Sequence, residues 1–186
     1  MLKRGSLVLM LALALAGCDD DTPTQPADPN VVVFKAQLSA ANEVPPVSNS
    51  ESTGRGDVTI TMHVQRDGSN NITAATFDFV VNLNSFPAGS SWTLAHIHEG
   101  APGIAGGVRV DTGQTPATAI AITNGTVTNQ QFNGVVFGPG APILNNQRAD
   151  FATHIQQLMV NPNGYYFNVH TALNGSGAVR GPLVIQ

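Results

Sequence analysis

The feature that most restricts the fold of this chain is a series of short β-type runs separated by turn residues. In the run GDVTITMHV, the apolar residues Val58, Ile60, Met62 and Val64 alternate with threonine and other polar residues. This alternation is typical of a strand that is buried on one face. Glycine, proline and asparagine turns separate it from similar runs such as ITAATFDFVVNL and QQFNGVVF. The pattern predicts an all-β fold, either a β-sandwich or a barrel, and not an alternating βα fold.

One segment departs from the strand pattern. In NNQRADFATHIQQLMV, the apolar residues Phe151, Ile155, Leu158 and Met159 recur at the spacing of one helix face. The NPNG turn that follows ends this periodicity. We therefore expect a single short helix at about residues 147–160.

The first 17 residues resemble the signal peptide of a bacterial lipoprotein. Lys3 and Arg4 precede an apolar stretch of about ten residues, which is too short to span a bilayer as a helix. The stretch ends in Leu-Ala-Gly-Cys, which resembles a lipobox. The resemblance implies cleavage before Cys18 and lipidation of Cys18, which would anchor the secreted protein to a membrane of the cell envelope. The domain would then lie on the periplasmic (extracytoplasmic) side or at the cell surface.

Residues 18–30 are predicted to be the lipidated cysteine and a disordered acidic, proline-rich tether, and residues 31–186 a single domain. Loss of Lys3 and Arg4 with the signal peptide would leave six basic and twelve acidic residues, a net charge of −6. The basic residues form no cluster, so we expect no nucleic-acid partner. Cys18 is the only cysteine, which excludes a disulfide framework within the chain.

Four segments together resemble the CHRD domain, a family named for its occurrence in chordin and found in many secreted bacterial proteins. They are FKAQLSAANEVPPV, STGRGDVTI, AHIHEGAPGIAGGVRV and GYYFNVHTALNGSGAVRGPL. The resemblance implies an all-β, immunoglobulin-like fold of Greek-key type. Ala178 stands where the family often has an acidic residue, so any role of an acid there is absent. In chordin, growth-factor binding is associated with separate cysteine-rich modules that this chain lacks, so we do not expect that activity.

Three histidines are the main candidates for a functional site. His96 and His98 project from one face of a strand, and His170 comes from a second strand. Trp92 and Leu94 have the same parity as the first two, so we expect that face to be apolar and partly covered. The composition of this group supports two interpretations.

In the first interpretation, the histidines are neutral, hydrogen-bonded residues of a structural network. Glu43 could orient an imidazole, and Arg180 could bind backbone carbonyls or Glu43 itself. The protein would then be a non-catalytic binding or structural module that needs no cofactor. Its partner would be an unknown extracytoplasmic protein or a small ligand.

In the second interpretation, His96, His98 and His170 form a three-imidazole site for zinc or copper. Such a site is similar to that of the copper–zinc superoxide dismutases in its histidine arrangement only, because their remaining ligands are not recognisable here.

The other polar candidates are weaker. Asp111 is expected to cap a turn, or alternatively to offer a carboxylate to a metal, and His63 and His154 are expected to be solvated. The glycines of GAPGIAGG are not followed by a helix start or by Lys-Ser/Thr, so they predict positive φ angles and close backbone contacts and not a phosphate-binding loop. We find no catalytic nucleophile or paired carboxylates, and so do not expect an enzyme.

Overall fold

Antiparallel β-strands dominate residues 28–186, which are the residues that our computed structural model describes. The strands are β1 (Val31–Ser39), β2 (Arg55–Arg66), β3 (Ile72–Asn84), β4 (Ser90–Glu99), β5 (Gly107–Asp111), β6 (Ile120–Ile122), β7 (Val127–Phe137), β8 (Tyr165–Thr171), β9 (Val179–Pro182) and β10 (Val184–Ile185). The predicted signal peptide, Cys18 and the tether up to residue 27 lie outside the described residues.

The strands form one nearly closed, barrel-like sheet in the order β5-β4-β8-β9-β1-β2-β3-β7, with β10 paired to β1 and β6 paired to β4. This arrangement confirms the all-β prediction, and of the two expected architectures it corresponds to the barrel. Within residues 28–186, no helix combines the length and apolar character that a membrane crossing requires.

The inside of the sheet is an apolar core that follows the predicted alternation. Val58, Ile60 and Met62 of β2 are almost fully buried, whereas the intervening threonines are partly exposed. On the neighbouring strand β3, Phe77 and Phe79 are also fully buried, and their rings stack with centroids 6.0 Å apart. The two-residue period therefore places apolar side chains inside and polar ones outside.

Between residues 28 and 186 the structure has one α-helix, α1 (Phe151–Val160), which closes part of the core. Ile155 and Leu158 are fully buried, as the helical periodicity predicts. The helix begins four residues later than expected, because the preceding residues bind other parts of the fold. Asn146 binds the backbone of Asp111 through both atoms of its side-chain amide, and the Gln147 amide donates to the carbonyl of Ala141.

Strand β4 contains a β-bulge that changes which residues share a face. Its register against β8 shifts between Trp92 and Leu94, where two steps on β4 match one step on β8. Trp92 consequently belongs to the apolar core together with Ala95 and Ile97. The prediction that Trp92 shares a face with His96 was therefore wrong, because simple alternation does not anticipate an inserted residue.

Strand β8 is buried on both faces. Tyr165, Phe167 and Val169 belong to the apolar core. By alternation, Tyr166, Asn168 and His170 project from the opposite face, where they are also buried. A second, polar layer therefore lies outside the sheet at this position, and it holds the candidate site.

Candidate functional site

The polar layer lies on β4, β5, β8 and β9, and the register of these strands brings its members together. In the sheet, His96 is paired with Asp111 on one side and with Asn168 on the other, and Asn168 is paired with Arg180. His98 is paired with Tyr166. Three connections touch the layer through hydrogen bonds: the segment after β1, the β4–β5 loop and the β8–β9 loop.

The structure brings the three histidines into one cluster. Nδ1 of His96 lies 3.2 Å from Nε2 of His170, and each of the three residues offers a ring nitrogen within 4.8 Å of the others. All three are buried, with only 6–7% of each residue exposed. Bonds of about 2.0–2.1 Å in a trigonal or tetrahedral site place two metal-bound nitrogens roughly 3.3–3.6 Å apart. The 3.2 Å pair is already near this separation, and the widest separation would need to contract by up to about 1.5 Å to hold an ion.

The hydrogen bonds of His98 and His170 determine which ring nitrogen carries the proton. Nδ1 of His98 lies 3.0 Å from the carbonyl oxygen of Gly106, and Nδ1 of His170 lies 3.0 Å from the carbonyl oxygen of Gly175. Carbonyl oxygens only accept hydrogen bonds, so both Nδ1 atoms are donors. In the neutral rings both Nε2 atoms therefore carry a free lone pair. Nε2 of His98 is buried and has no hydrogen-bond partner.

His96 is oriented differently from the other two histidines. Its Nδ1 atom points to the free lone pair of His170 Nε2, so in the neutral cluster it is the donor of that 3.2 Å hydrogen bond. Its Nε2 atom faces a carboxylate, with 3.9 Å to Oδ2 of Asp111. A metal ion could replace the Nδ1 proton, since the ring could then carry its proton on Nε2 beside Asp111.

Burial keeps the cluster neutral at neutral pH. Burial lowers the pKa of His96 to about 4, assisted by His170 and opposed by the charge of Asp111. Burial also lowers the pKa of His98 to about 4 and moves the pKa of His170 below its usual value. Neutral imidazoles have lone pairs available for a metal, so these shifts favour metal binding.

Asp111 is held in place by the chain around it. Its Oδ1 atom accepts a hydrogen bond from the backbone of Gly113, and its Oδ2 atom accepts one from Asn145. Its backbone binds the amide of the fully buried Asn146 through both the N–H and the carbonyl. The residue thus caps a turn, as expected, and its carboxylate is also the one that lies beside His96.

Glu43 and Arg180 occupy the other side of the polar layer. The Arg180 side chain donates to the carbonyl oxygens of Asn42 (2.6 Å) and Ile104 (3.1 Å), and its Nε atom lies 3.8 Å from Oε2 of Glu43. Burial raises the pKa of Glu43 to about 7, although the Arg180 charge opposes this shift. The structure therefore places Arg180 on backbone carbonyls and beside Glu43, while Asp111 is the carboxylate that faces His96.

Tyr166 lies between the histidine cluster and Arg180. Its ring stacks on the His98 ring, with centroids 4.9 Å apart and an interplanar angle of 12°, and the Arg180 guanidinium lies 4.6 Å from the centre of the Tyr166 ring. Tyr166 and Arg180 also line a cleft of about 510 Å³. The residues lining the cleft are Ala41, Asn42, Glu43, Val44, Pro46, Ala101, Pro102, Gly103, Tyr166, Arg180, Gly181 and Pro182. The cleft thus lies next to a ring that touches the histidine cluster.

The glycine-rich loop after β4 positions His98, a role that sequence reasoning did not identify. Gly106 supplies the carbonyl that accepts from His98, and a side chain at this position would overlap the backbone carbonyl of Glu99. Gly103 has a φ of +82°, which favours glycine. The expected positive φ angle and close backbone contact are both present. The hydrogen bond from His98 to the Gly106 carbonyl depends on how the loop packs against β4, and no local sequence pattern indicates it.

The other two histidines of the sequence lie outside the cluster. His63 is partly exposed, and its Nε2 atom lies 3.3 Å from Asp78. His154 is buried, contrary to the expected solvation, with Nδ1 3.0 Å from the Tyr165 hydroxyl and Nε2 3.2 Å from Asp150. The prediction for His154 was wrong because the helix turns this residue toward β8 and not toward solvent.

Comparison with known families identifies the domain. The family model of the CHRD domain matches residues 34–183, which is most of the chain. This chain belongs to the CHRD family. The matched CHRD region contains Glu43, Arg180 and all three histidines of the cluster. No curated protein and no solved structure matches the chain.

Proposed function

We propose that this CHRD domain is a non-catalytic binding module whose ligand is a zinc or copper ion, held by Nδ1 of His96, Nε2 of His98 and Nε2 of His170. One observation carries the proposal. The Nδ1–H groups of His98 and His170 both donate to backbone carbonyls, which leaves both Nε2 lone pairs available in a buried cluster where each histidine offers a ring nitrogen within 4.8 Å of the others.

The surroundings of the three rings support this proposal. Metal-binding histidines usually donate their second ring N–H to a backbone carbonyl or a carboxylate, which fixes the tautomer and the ring orientation. Gly106 and Gly175 provide such carbonyls for His98 and His170. The Asp111 carboxylate faces Nε2 of His96 at 3.9 Å, which is outside hydrogen-bond distance. Two of the three rings are thus oriented by hydrogen bonds to backbone carbonyls, and the third ring faces a carboxylate.

A purely structural network is the alternative, and it accounts less well for His98. Such a network leaves Nε2 of His98 buried without a hydrogen bond. An unsatisfied buried acceptor costs about 1–3 kcal/mol. A metal ion bound to this lone pair would remove that cost, which supports the proposal. Three other buried atoms of the layer, Glu43 Oε1, Asn168 Oδ1 and Arg180 Nη2, also lack a partner, and an ion at the histidines would leave them unchanged.

Elemental analysis of the full-length chain after exposure to zinc and to copper tests the proposal. We expect about one equivalent of metal in the unmodified protein and none in the double variant His96→Ala/His98→Ala. The variant His63→Ala, which changes a histidine outside the cluster, should bind as the unmodified protein does. A metal-free protein, whose double variant loses thermal stability only, would support the structural network instead.

We further propose that the domain works in the cell envelope, anchored to a membrane through a lipid on Cys18. The lipobox-like segment supports this location. An extracytoplasmic protein or a small ligand could be a further partner, and the net negative charge makes nucleic acid an unsuitable one. Expression in a bacterial host tests the anchor: the chain should fractionate with membranes, and the variant Cys18→Ser should not. Equal fractionation of both would contradict it.

A further inference from the structure

We infer that the ion is copper in the cuprous state, bound in a three-coordinate site. This inference depends on the proposed function, because it concerns the identity of the ion in the same histidine cluster. It is based on the charge of the ligands, on the burial of the cluster and on the number of donors.

The three ligands offer no negative charge to an ion. Each is a neutral imidazole, and no carboxylate or thiolate among residues 28–186 belongs to the cluster. The carboxylate of Asp111 is the nearest acid to His96, at 3.9 Å, beyond bonding distance. On the other side, the Arg180 guanidinium lies 4.6 Å from the centre of the Tyr166 ring, which stacks on His98. A divalent cation would therefore meet a single nearby carboxylate, outside bonding distance, to set against its two charges.

The burial of the cluster disfavours a divalent ion more strongly than a monovalent one. The three residues are only 6–7% exposed, so an ion that enters the cluster loses most of its contact with water. The cost of removing an ion from water grows with the square of its charge, and is about four times greater for a dication than for a monocation of similar size. Zinc and cupric ions carry two charges, whereas cuprous ion carries one.

The number of donors points in the same direction. Zinc in proteins is almost always tetrahedral, so three histidines would leave a fourth position for water or another ligand. The second ring nitrogens of His98 and His170 are already hydrogen-bonded to backbone carbonyls and are not available as further ligands. Imidazole nitrogens suit copper as well as zinc. Cuprous ion is a closed-shell d10 ion with no demand for a fourth ligand, so three nitrogen donors in a trigonal arrangement can complete its coordination. The cluster provides this set without any additional ligand.

Competition titrations on the full-length chain test the inference. Cuprous ion is added under anaerobic, reducing conditions against a cuprous chelator, and zinc is added separately against a zinc chelator. We expect one equivalent of cuprous ion, with a Kd at least about a thousandfold lower than the Kd for zinc, since the buried neutral site disfavours the dication. X-ray absorption of the copper-loaded protein should report three nitrogen ligands.

The results of these titrations distinguish the identity of the ion from the binding of a metal by the cluster. A site that binds zinc more tightly than cuprous ion, or four-coordinate copper, would overturn the assignment of the ion and leave the proposed metal-binding function intact. Failure of both ions to bind would overturn both. As controls, His98→Ala should lose cuprous binding while His63→Ala retains it. Equal binding by the two variants would place the ion outside the histidine cluster and overturn both the assignment of the ion and the proposed site.

Discussion

Nδ1 of His96 lies 3.2 Å from Nε2 of His170, although the two residues are 74 positions apart in the chain. The contact joins β4 to β8, and the proton between the two nitrogens occupies the position where a metal would be bound. In the metal-free protein, this hydrogen bond satisfies one lone pair of the cluster. Metal binding would replace one proton with bonds to both nitrogens, so the contact is compatible with both states.

The first prediction concerns Asp111 as a residue that positions His96. We expect Asp111→Asn to weaken binding of the metal by about 10–100-fold, which is the usual effect of changing a group that orients a metal ligand. Asparagine keeps an acceptor for Gly113, so the turn should persist. Metal titration measures the effect, and thermal unfolding of the metal-free variant checks that the fold is retained.

Asp78→Asn is the matched control for Asp111→Asn, because Asp78 also lies beside a histidine, His63, but outside the cluster. Its affinity for the metal should equal that of the unmodified protein. Equal loss of affinity in both variants would contradict a specific role of Asp111.

The second prediction concerns the pH dependence of stability in the metal-free protein. Burial lowers the folded-state pKa of His96 and His98 to about 4, from 6.5. Between these values the unfolded chain binds more protons than the folded chain, so the free energy of unfolding should fall as the pH falls from 6.5 to 4. Each of the two residues could contribute up to about 3 kcal/mol, since one pKa unit corresponds to about 1.36 kcal/mol.

Glu43 acts in the opposite sense, because burial raises its pKa from 4.5 to about 7 and its contribution to stability falls as the pH rises through this range. The contribution of His98 is therefore isolated by comparing the unmodified protein with His98→Gln, in which Glu43 is unchanged. Denaturant unfolding at pH 7 and pH 5 should show a smaller pH effect in the variant. An identical pH effect in both proteins would mean that His98 is not the titrating group.

The third prediction concerns Arg180. Arg180→Met should lower the free energy of unfolding by about 3–5 kcal/mol, because it removes one partner of a buried ion pair and leaves Glu43 uncompensated. Denaturant unfolding measures the loss. Arg66→Met, at a partly exposed arginine, should cost much less. If Arg180→Met costs no more than Arg66→Met, the Arg180 contacts do not stabilise the layer.

The fourth prediction concerns the loop after β4. Gly106→Ala should displace the backbone, because the new side chain would overlap the carbonyl of Glu99, and this shift would move the carbonyl that binds His98. We expect at least a tenfold loss of metal affinity, comparable to that from other changes to groups that orient a ligand. Metal titration and circular dichroism together measure affinity and folding.

Gly68→Ala provides the control for Gly106→Ala, since a side chain at Gly68 meets no atom within 4 Å. It should bind metal normally. Normal binding by Gly106→Ala as well would argue against the role of this loop in orienting His98.

Much of the fold follows from local patterns in the sequence. The two-residue alternation in β2 and β3 and the helical spacing of Ile155 and Leu158 are sufficient to predict which side chains are buried. The start of the helix could not be predicted in this way. The segment just before the helix is held by long-range contacts, such as the hydrogen bonds between Asn146 and Asp111, which are 35 positions apart.

The site was less predictable than the fold, and the reason is again the distance along the chain. That His96, His98 and His170 share a cluster could be suggested from the HxH spacing and the second strand histidine, but not established. The partners of their second nitrogens are backbone carbonyls in loops, at Gly106 and Gly175. Carbonyls are present at every residue, so no sequence pattern distinguishes these two.

The bulge in β4 is another feature that could not be predicted from the sequence. Alternation alone assigns Trp92 and His96 to the same face, whereas the inserted residue at the bulge places Trp92 in the core. A bulge of this kind depends on pairing with β8, and so it becomes visible only when the neighbouring strand is known.

The double burial of β8 has a consequence for how this domain can change over time. A shift of its pairing by one residue would turn Asn168 and His170 into the apolar interior and expel Phe167 and Val169 from it. An insertion or deletion in this strand would therefore disrupt both the apolar core and the polar layer that contains His170. Variants of this chain that lose the histidines would still have to keep the spacing of β8, because Phe167 and Val169 must remain in the interior.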